Sequence, residues 1–345
     1  MNKKKQMNFN VNNFLLAVTD ILDTKDIEEN NVSKSHSLRV AYVCLKIGEK
    51  CNLEPKEMFD LCAYSLFFHY ADEKNMSTLG IDFKSSKLNE IIHLIHEMDE
   101  KYNFSLFTIE NRNKLEKYIF ESEVNKKYKD IYLEISKNID FWMDCQTSNA
   151  MLQYIYKTLY DFTEVLTFDE VLQRTTIFGK LYNKEIEIFL DRCKIMIDYY
   201  NFEEKDKLTF LVAASMVDFG KLAIDSKILS KDFTLSDDEY EIVKSNIYHN
   251  KNALSLIYGF EDITKWATRH QEQLDAKGYP SSLGAHNLSL KDRLMAVLHI
   301  YNSLVSNKPF RKKYSHAEAM EKLYLKAKNY RLDEAIVKDV DLLFQ

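Results

Sequence analysis

From His36 to Cys51 the chain reads HSLRVAYVCLKIGEKC, with apolar residues at Val40, Val43, Cys44, Ile47 and Cys51. That spacing predicts a helix with one buried face. Pro55 stands where the first turn of a helix accepts proline, so a second helix is expected through KEMFDLCAYSLFFHY. A polar break follows at 71–88, and two more helical segments with loops are expected to carry the chain to about residue 140. Thr167 and Glu170 form a capping-box pattern that opens a helix over FDEVLQRTTIFGKLY. Another helix is expected at about 184–200, with Phe189, Cys193, Met196, Ile197 and Tyr200 on one face. FEEKDKLTFLVAASMVDFG predicts the next, ending at Gly220. The capping pattern recurs at Ser236 with Glu239 and at Ser315 with Glu318. No strand signal is longer than a few residues, so the fold class expected is all-α.

The same pattern occurs twice. Residues 39–70 and 190–219 each read as an amphipathic helix, a short turn with an apolar plug (Leu53, Phe202), acidic residues and a second helix ending near His or Asp. Two copies of one helical module account for much of the length.

Composition sharpens this picture. Only 7 Gly and 3 Pro occur in 345 residues, and 46% of the chain is apolar, which suits long helices around sizeable cores. The net charge of -6 argues against a nucleic-acid polymer as partner. Local basic clusters can still hold a phosphate. Cys44, Cys51, Cys62, Cys145 and Cys193 form no CxxC pair, and read as reduced core residues of a cytoplasmic protein. The start, MNKKKQMNFN, is basic but carries no apolar stretch of signal length, and no apolar run is long enough to span a bilayer.

Three ordered stretches resemble the HD-GYP family, a branch of the HD-domain phosphohydrolases. VDFGKLAIDSKIL (217–229) resembles the HD-x-GK signature and the segment after it. RHQEQLDAKGYPSSL (269–283) is similar to the HHE-x-x-DG-x-GYP signature, and LSLKDRLMAVLHIYNSLVSNKPFRKKYSHAEAMEKL (288–323) to the closing segment. HSLRVAYVCLKIGE resembles the first helix of an HD domain, and NIDFWMD (138–144) the linker of tandem members. The resemblance implies two tandem helical HD-like domains: a degenerate copy over 1–145, a helical linker over 146–166 and an HD-GYP-like domain over 167–345.

The resemblance also implies a chemistry. Family members hydrolyse cyclic dinucleotides with two or more metal ions, mostly iron or manganese, which activate a bridging water and neutralise phosphate. Clustered histidines and carboxylates hold such ions. Here the early histidine falls near Glu185, the HD histidine is Val217, the next histidine is Asn246, and the second of the paired histidines is Gln271. Asp218 and His270 are kept, and His299 replaces the closing aspartate. Asp218, His270 and His299 could thus hold a single iron or manganese ion at best, and no cofactor is expected; the competing reading makes them hydrogen-bonded core residues. In the first copy, His36 and Arg39 match the first helix, and the HD pair falls at Phe68-His69 or His69-Tyr70. His36, His69, His93 and His96 are a candidate metal set, against the alternative of separate core or surface histidines.

The phosphate-facing positions fare better. By the resemblance, Lys221, Tyr279, Lys308 and Arg311 stand where the family meets substrate phosphates and bases. Lysine supplies a point charge, arginine a fork and tyrosine a stacking face. The expectation is a degenerate member that acts as a non-catalytic signalling or scaffold protein and binds a cyclic dinucleotide. The alternatives are a weak metal-dependent cyclic-dinucleotide phosphodiesterase (cyclic di-GMP or cyclic GMP-AMP), and a pure interaction module that docks a cyclase-type signalling protein.

Overall fold

The structure, a computed structural model, describes residues 6–159, 163–308 and 311–345. It divides into two compact units: Asn10–Glu164, and Val165–Gln345 together with the chain through Phe9. Both are helical. The one sheet among the described residues is a two-stranded ladder of Gln6–Asn10 with Thr163–Thr167, too short to read from alternation. No helix among the described residues is long and apolar enough to cross a membrane.

In the N-terminal unit the helix His36–Lys50 lies against Pro55–Leu66, Ser86–Tyr102 and Ser148–Thr158. Val40, Val43, Cys44, Ile47 and Cys51 are all buried, as their spacing predicts. Burying each larger aliphatic among them is worth about 1.5–3 kcal/mol. Pro55 occupies the first turn of its helix, whose N-terminus is closed by a carboxylate box of Glu54 and Glu57. The polar stretch 71–88 is not all loop: it holds the helix Glu73–Leu79, capped by Asp72, whose side chain accepts from the Asn75 amide. Ser86–Tyr102, Ile109–Glu121 and Lys126–Ile135 follow. The segment expected as a helical linker contains the helix Ser148–Thr158 and then the strand Thr163–Thr167.

In the C-terminal unit Phe168–Tyr182, Ile186–Tyr199 and Glu204–Ser215 form one packed layer, closed by Asn246–Ser255, Glu261–Thr268 and Leu290–Leu304. The capping boxes at Thr167/Glu170, Ser236/Glu239 and Ser315/Glu318 all form. The helix expected to end at Gly220 stops at Ser215. The Asn250 amide donates to the Met216 and Val217 carbonyls at 2.9 and 3.3 Å, and the chain turns into a 3-10 segment, Phe219–Ala223. All five cysteines are buried and free.

The two helical modules also correspond in three dimensions. His36–Lys50 and Pro55–Leu66 are joined through Asn52 at φ 53°, and Ile186–Tyr199 and Glu204–Ser215 through Asn201 at φ 48°. Asparagine tolerates this left-handed turn better than most residues. Each second helix runs on into a 3-10 segment. Phe68–Tyr70 carries His69, and Asp218 immediately precedes Phe219–Ala223.

Candidate functional site

The C-terminal site is built on the 3-10 segment after Ser215. Gly220 lets it lie directly on the helix Asn246–Ser255: a Cβ there would sit 2.0 Å from the Asn246 carbonyl oxygen. That close approach fixes Asp218 and Lys221 on opposite flanks of Gly220. Leu290–Leu304 brings His299 across, and the residues after Glu261–Thr268 bring His270.

Asp218 Oδ1 accepts from His299 Nε2 at 3.0 Å and from the Lys221 ammonium at 2.7 Å. His270 is buried, with Nδ1 2.9 Å from the Ala267 carbonyl, which places the proton on Nδ1. Its Nε2 is buried with no hydrogen-bond partner. The His270 and His299 rings stand 4.3 Å apart between centroids. Donor atoms of Asp218, His270 and His299 all lie within 4.8 Å of one another. A bare imidazole nitrogen aimed at a histidine and a carboxylate fits one transition ion.

The electrostatics follow from these contacts. Burial pushes the Asp218 carboxyl up, but Lys221 and His299 outweigh it and hold the group well below the usual carboxylate range. Burial pulls Lys221 down, yet Asp218 and Tyr182 reverse this and raise its ammonium above the ordinary lysine value. His270 is held well below the ordinary imidazole value by burial and then by His299. Lys308 is lowered by burial and by the charge of Lys221. Burial, then Tyr240, pushes the Tyr279 phenol up to about 12.

The sequence-derived set is therefore brought together in part. Asp218, His270 and His299 form one cluster, and Lys221, Tyr279 and Lys308 lie within electrostatic reach of Asp218. Arg311 touches this set only through Lys308, whose ammonium its charge helps to lower and whose backbone it pairs with. Its guanidinium donates to the Ser303, Leu304 and Lys312 carbonyls at 2.6, 3.0 and 3.1 Å, closing the end of Leu290–Leu304. Pro309 and Phe310 lie outside the described residues. Sequence reasoning missed Tyr182, whose ring lies 5.1 Å from the Lys221 ammonium. It also missed Glu272, which accepts from the Ser281 and Leu283 amides at 2.7 and 2.9 Å and so holds the loop bearing Tyr279. The glutamate of the HHE-like stretch was the available signal for Glu272; nothing local marked Tyr182.

A helical shell that brings a carboxylate at a helix end to two histidines defines an HD-type unit, and residues 172–336 match the family model of the HD domain. Residues 172–336 therefore belong to the HD-domain family, of the HD-GYP type. The chain is 29% identical over 119 residues to the 3'3'-cGAMP-specific phosphodiesterase 1 of Vibrio cholerae, covering 34% of this chain and 28% of that protein. It is 28% identical over 116 residues to the cyclic di-GMP phosphodiesterase PA4108 of Pseudomonas aeruginosa, covering 32% and 27%. The matches thus span less than a third of the length of either relative. The fold is similar to the crystal structure of V-cGAP3, a cyclic GMP-AMP-specific phosphodiesterase of V. cholerae: TM-score 0.59, 14% identity, 98% of each chain covered.

Proposed function

We propose that this chain is a cyclic-dinucleotide receptor, a non-catalytic signalling or scaffold protein of its family. The observation that carries this reading is the cationic set around Asp218. Lys221 is anchored 2.7 Å from the carboxylate, and Lys308 and Tyr279 face the same pair. Two ammonium groups that repel each other gain from an anion placed between them, and a phosphodiester supplies one. Tyr279 offers a ring for a base. The relatives named for cyclic GMP-AMP and cyclic di-GMP give the ligand class.

Hydrolysis with a paired centre requires donors for a second ion. Val217 has none, and Asn246, whose amide nitrogen donates to the Val243 carbonyl, offers only a neutral oxygen in place of an imidazole. Gln271 offers only a neutral amide. Asp218, His270 and His299 would hold one iron or manganese ion, which when bound would polarise a phosphate oxygen. A one-ion phosphodiesterase is therefore the second reading, favoured by the unpartnered Nε2 of His270.

Calorimetric titration with cyclic di-GMP, 3'3'-cyclic GMP-AMP and cyclic di-AMP tests the receptor reading. Saturable heat with one of them, and a matching rise in melting temperature, is expected. No heat and no melting shift at millimolar ligand would remove it.

A further inference from the structure

The N-terminal unit contains a second nitrogen-rich cluster, remote in sequence from Asp218, His270 and His299. His36 opens the helix His36–Lys50, His69 sits in the 3-10 segment Phe68–Tyr70, and His96 faces inward from Ser86–Tyr102. His96 Nε2 lies 3.1 Å from His36 Nε2 and 3.1 Å from His69 Nε2. An imidazole nitrogen has one in-plane position, filled by either a proton or a lone pair. His96 Nε2 can therefore make one good hydrogen bond, and the second close nitrogen is left without one. A cation between the three nitrogens satisfies them all.

The surroundings are arranged for that outcome. His36 Nδ1 lies 2.6 Å from Asp99 Oδ2, so its proton is held there and Nε2 is turned inward. Asp99 is itself locked by Arg39, whose Nε and Nη2 donate at 2.9 Å, and by the Phe104 amide at 2.8 Å. A carboxylate behind a histidine is the usual support for a metal-bound imidazole. On the far side, His96 Nδ1 is 3.6 Å from Glu100 Oε1. Donor atoms of His36, His69, His96 and Glu100 all fall within 4.8 Å of one another. Metal–nitrogen bonds of about 2.0–2.1 Å in a tetrahedron put ligand nitrogens roughly 3.3 Å apart, close to the contacts seen. The Phe68 ring, 4.0 Å from that of His96, walls one side, and half-buried His69 and exposed Glu100 leave an entry from solvent. His93, which the sequence grouped with these, is exposed and meets the Phe68 ring edge-on at 5.1 Å instead.

We propose that the N-terminal unit binds one divalent first-row transition ion through Nε2 of His36, His69 and His96, with Glu100 supporting His96 from its Nδ1 side. Three imidazoles select zinc, cobalt or iron(II) over magnesium or calcium. The ion staples two helices and the 3-10 segment, so its role is structural. The proposal is independent of the nucleotide reading, since none of its ligands belongs to the Asp218 cluster.

The test uses the full chain, stripped with chelator and titrated with Co²⁺ or Zn²⁺ alone. One equivalent of Co²⁺ is expected to give a visible ligand-field band that persists in His270→Gln and disappears in His69→Gln. Zn²⁺ is expected to raise the melting temperature of the wild type and not of His69→Gln. His69 is half-buried and Glu100 exposed, so Glu100→Gln serves as a second variant with little risk to the fold; its Co²⁺ affinity is expected to fall about tenfold. Uptake by the wild type below a tenth of an equivalent would overturn the proposal. So would His69→Gln and Glu100→Gln binding Co²⁺ as the wild type does, or a band that depends on His270 instead.

Discussion

Replacing Lys221 with methionine is expected to weaken cyclic-dinucleotide binding about 10- to 100-fold, the loss for one charge-assisted hydrogen bond to phosphate. Methionine keeps most of the length and apolar stem, so the packing against Tyr182 is largely preserved. What disappears is the ammonium 2.7 Å from Asp218. Burial then acts on Asp218 against His299 and His270 without the ammonium, and its carboxyl is expected to titrate at higher pH than in the wild type. The sign follows from linkage. A carboxyl held below its unfolded value contributes stability above the ordinary carboxyl range and loses it as pH falls through the lowered value. In Lys221→Met that contribution shrinks, so the loss of stability between neutral and acid pH is expected to be smaller than in the wild type. Paired denaturant titrations at pH 7 and at about pH 2, below the ordinary carboxyl range, measure it, and ligand titration at pH 7 measures the affinity. Unchanged affinity would take Lys221 out of the ligand site.

The second large effect is expected at Asp99. Its carboxylate is 1% exposed and is shared by His36, Arg39 and the Phe104 amide. Burial pushes this group up, but the bonds from His36 and Arg39 win and hold it below the usual carboxylate value. Asp99→Ala leaves the Arg39 guanidinium buried without its counter-charge, a change that costs about 3–5 kcal/mol. The contacts of Arg39 with the Lys34 carbonyl and Ser33 remain, so the lower half of that range is the better expectation. For a unit of this size the melting transition would move down on the order of 10 °C. Asp99→Asn keeps the volume and an acceptor for the Phe104 amide, and is expected to lose less. A melting shift below 2 °C for Asp99→Ala, roughly 1 kcal/mol or less, would show that the buried pair is not what holds these helices together.

Local signals were readable wherever the physics was local. The apolar spacing from Val40 to Cys51, Pro55 in a first turn and three capping boxes each depend on residues within one or two turns, and each is present in the fold. The helix end near Gly220 was misplaced because a distant residue, Asn250, takes the Met216 and Val217 carbonyls. The cluster of Asp218, His270 and His299 was legible because family signatures name those positions, although the resemblance alone does not say which nitrogen is free. Arg311 shows the opposite. A basic residue in the right signature is occupied by carbonyls of its own loop, and no pattern of residue types reveals that. Asp99 was missed for a similar reason: its partners His36 and Arg39 lie on another helix, and nothing in "HEMDE" distinguishes a buried carboxylate from a solvated one.

On the receptor reading, this site holds a cyclic dinucleotide without cleaving it. The most direct measurement is chromatography of 3'3'-cyclic GMP-AMP and cyclic di-GMP after incubation with the protein and added Mn²⁺ or Fe²⁺, at concentrations where binding is saturated. Full recovery of the intact cyclic ligand from the bound fraction is the expected result. Linear dinucleotide appearing with turnover, and abolished by Asp218→Asn, would contradict it.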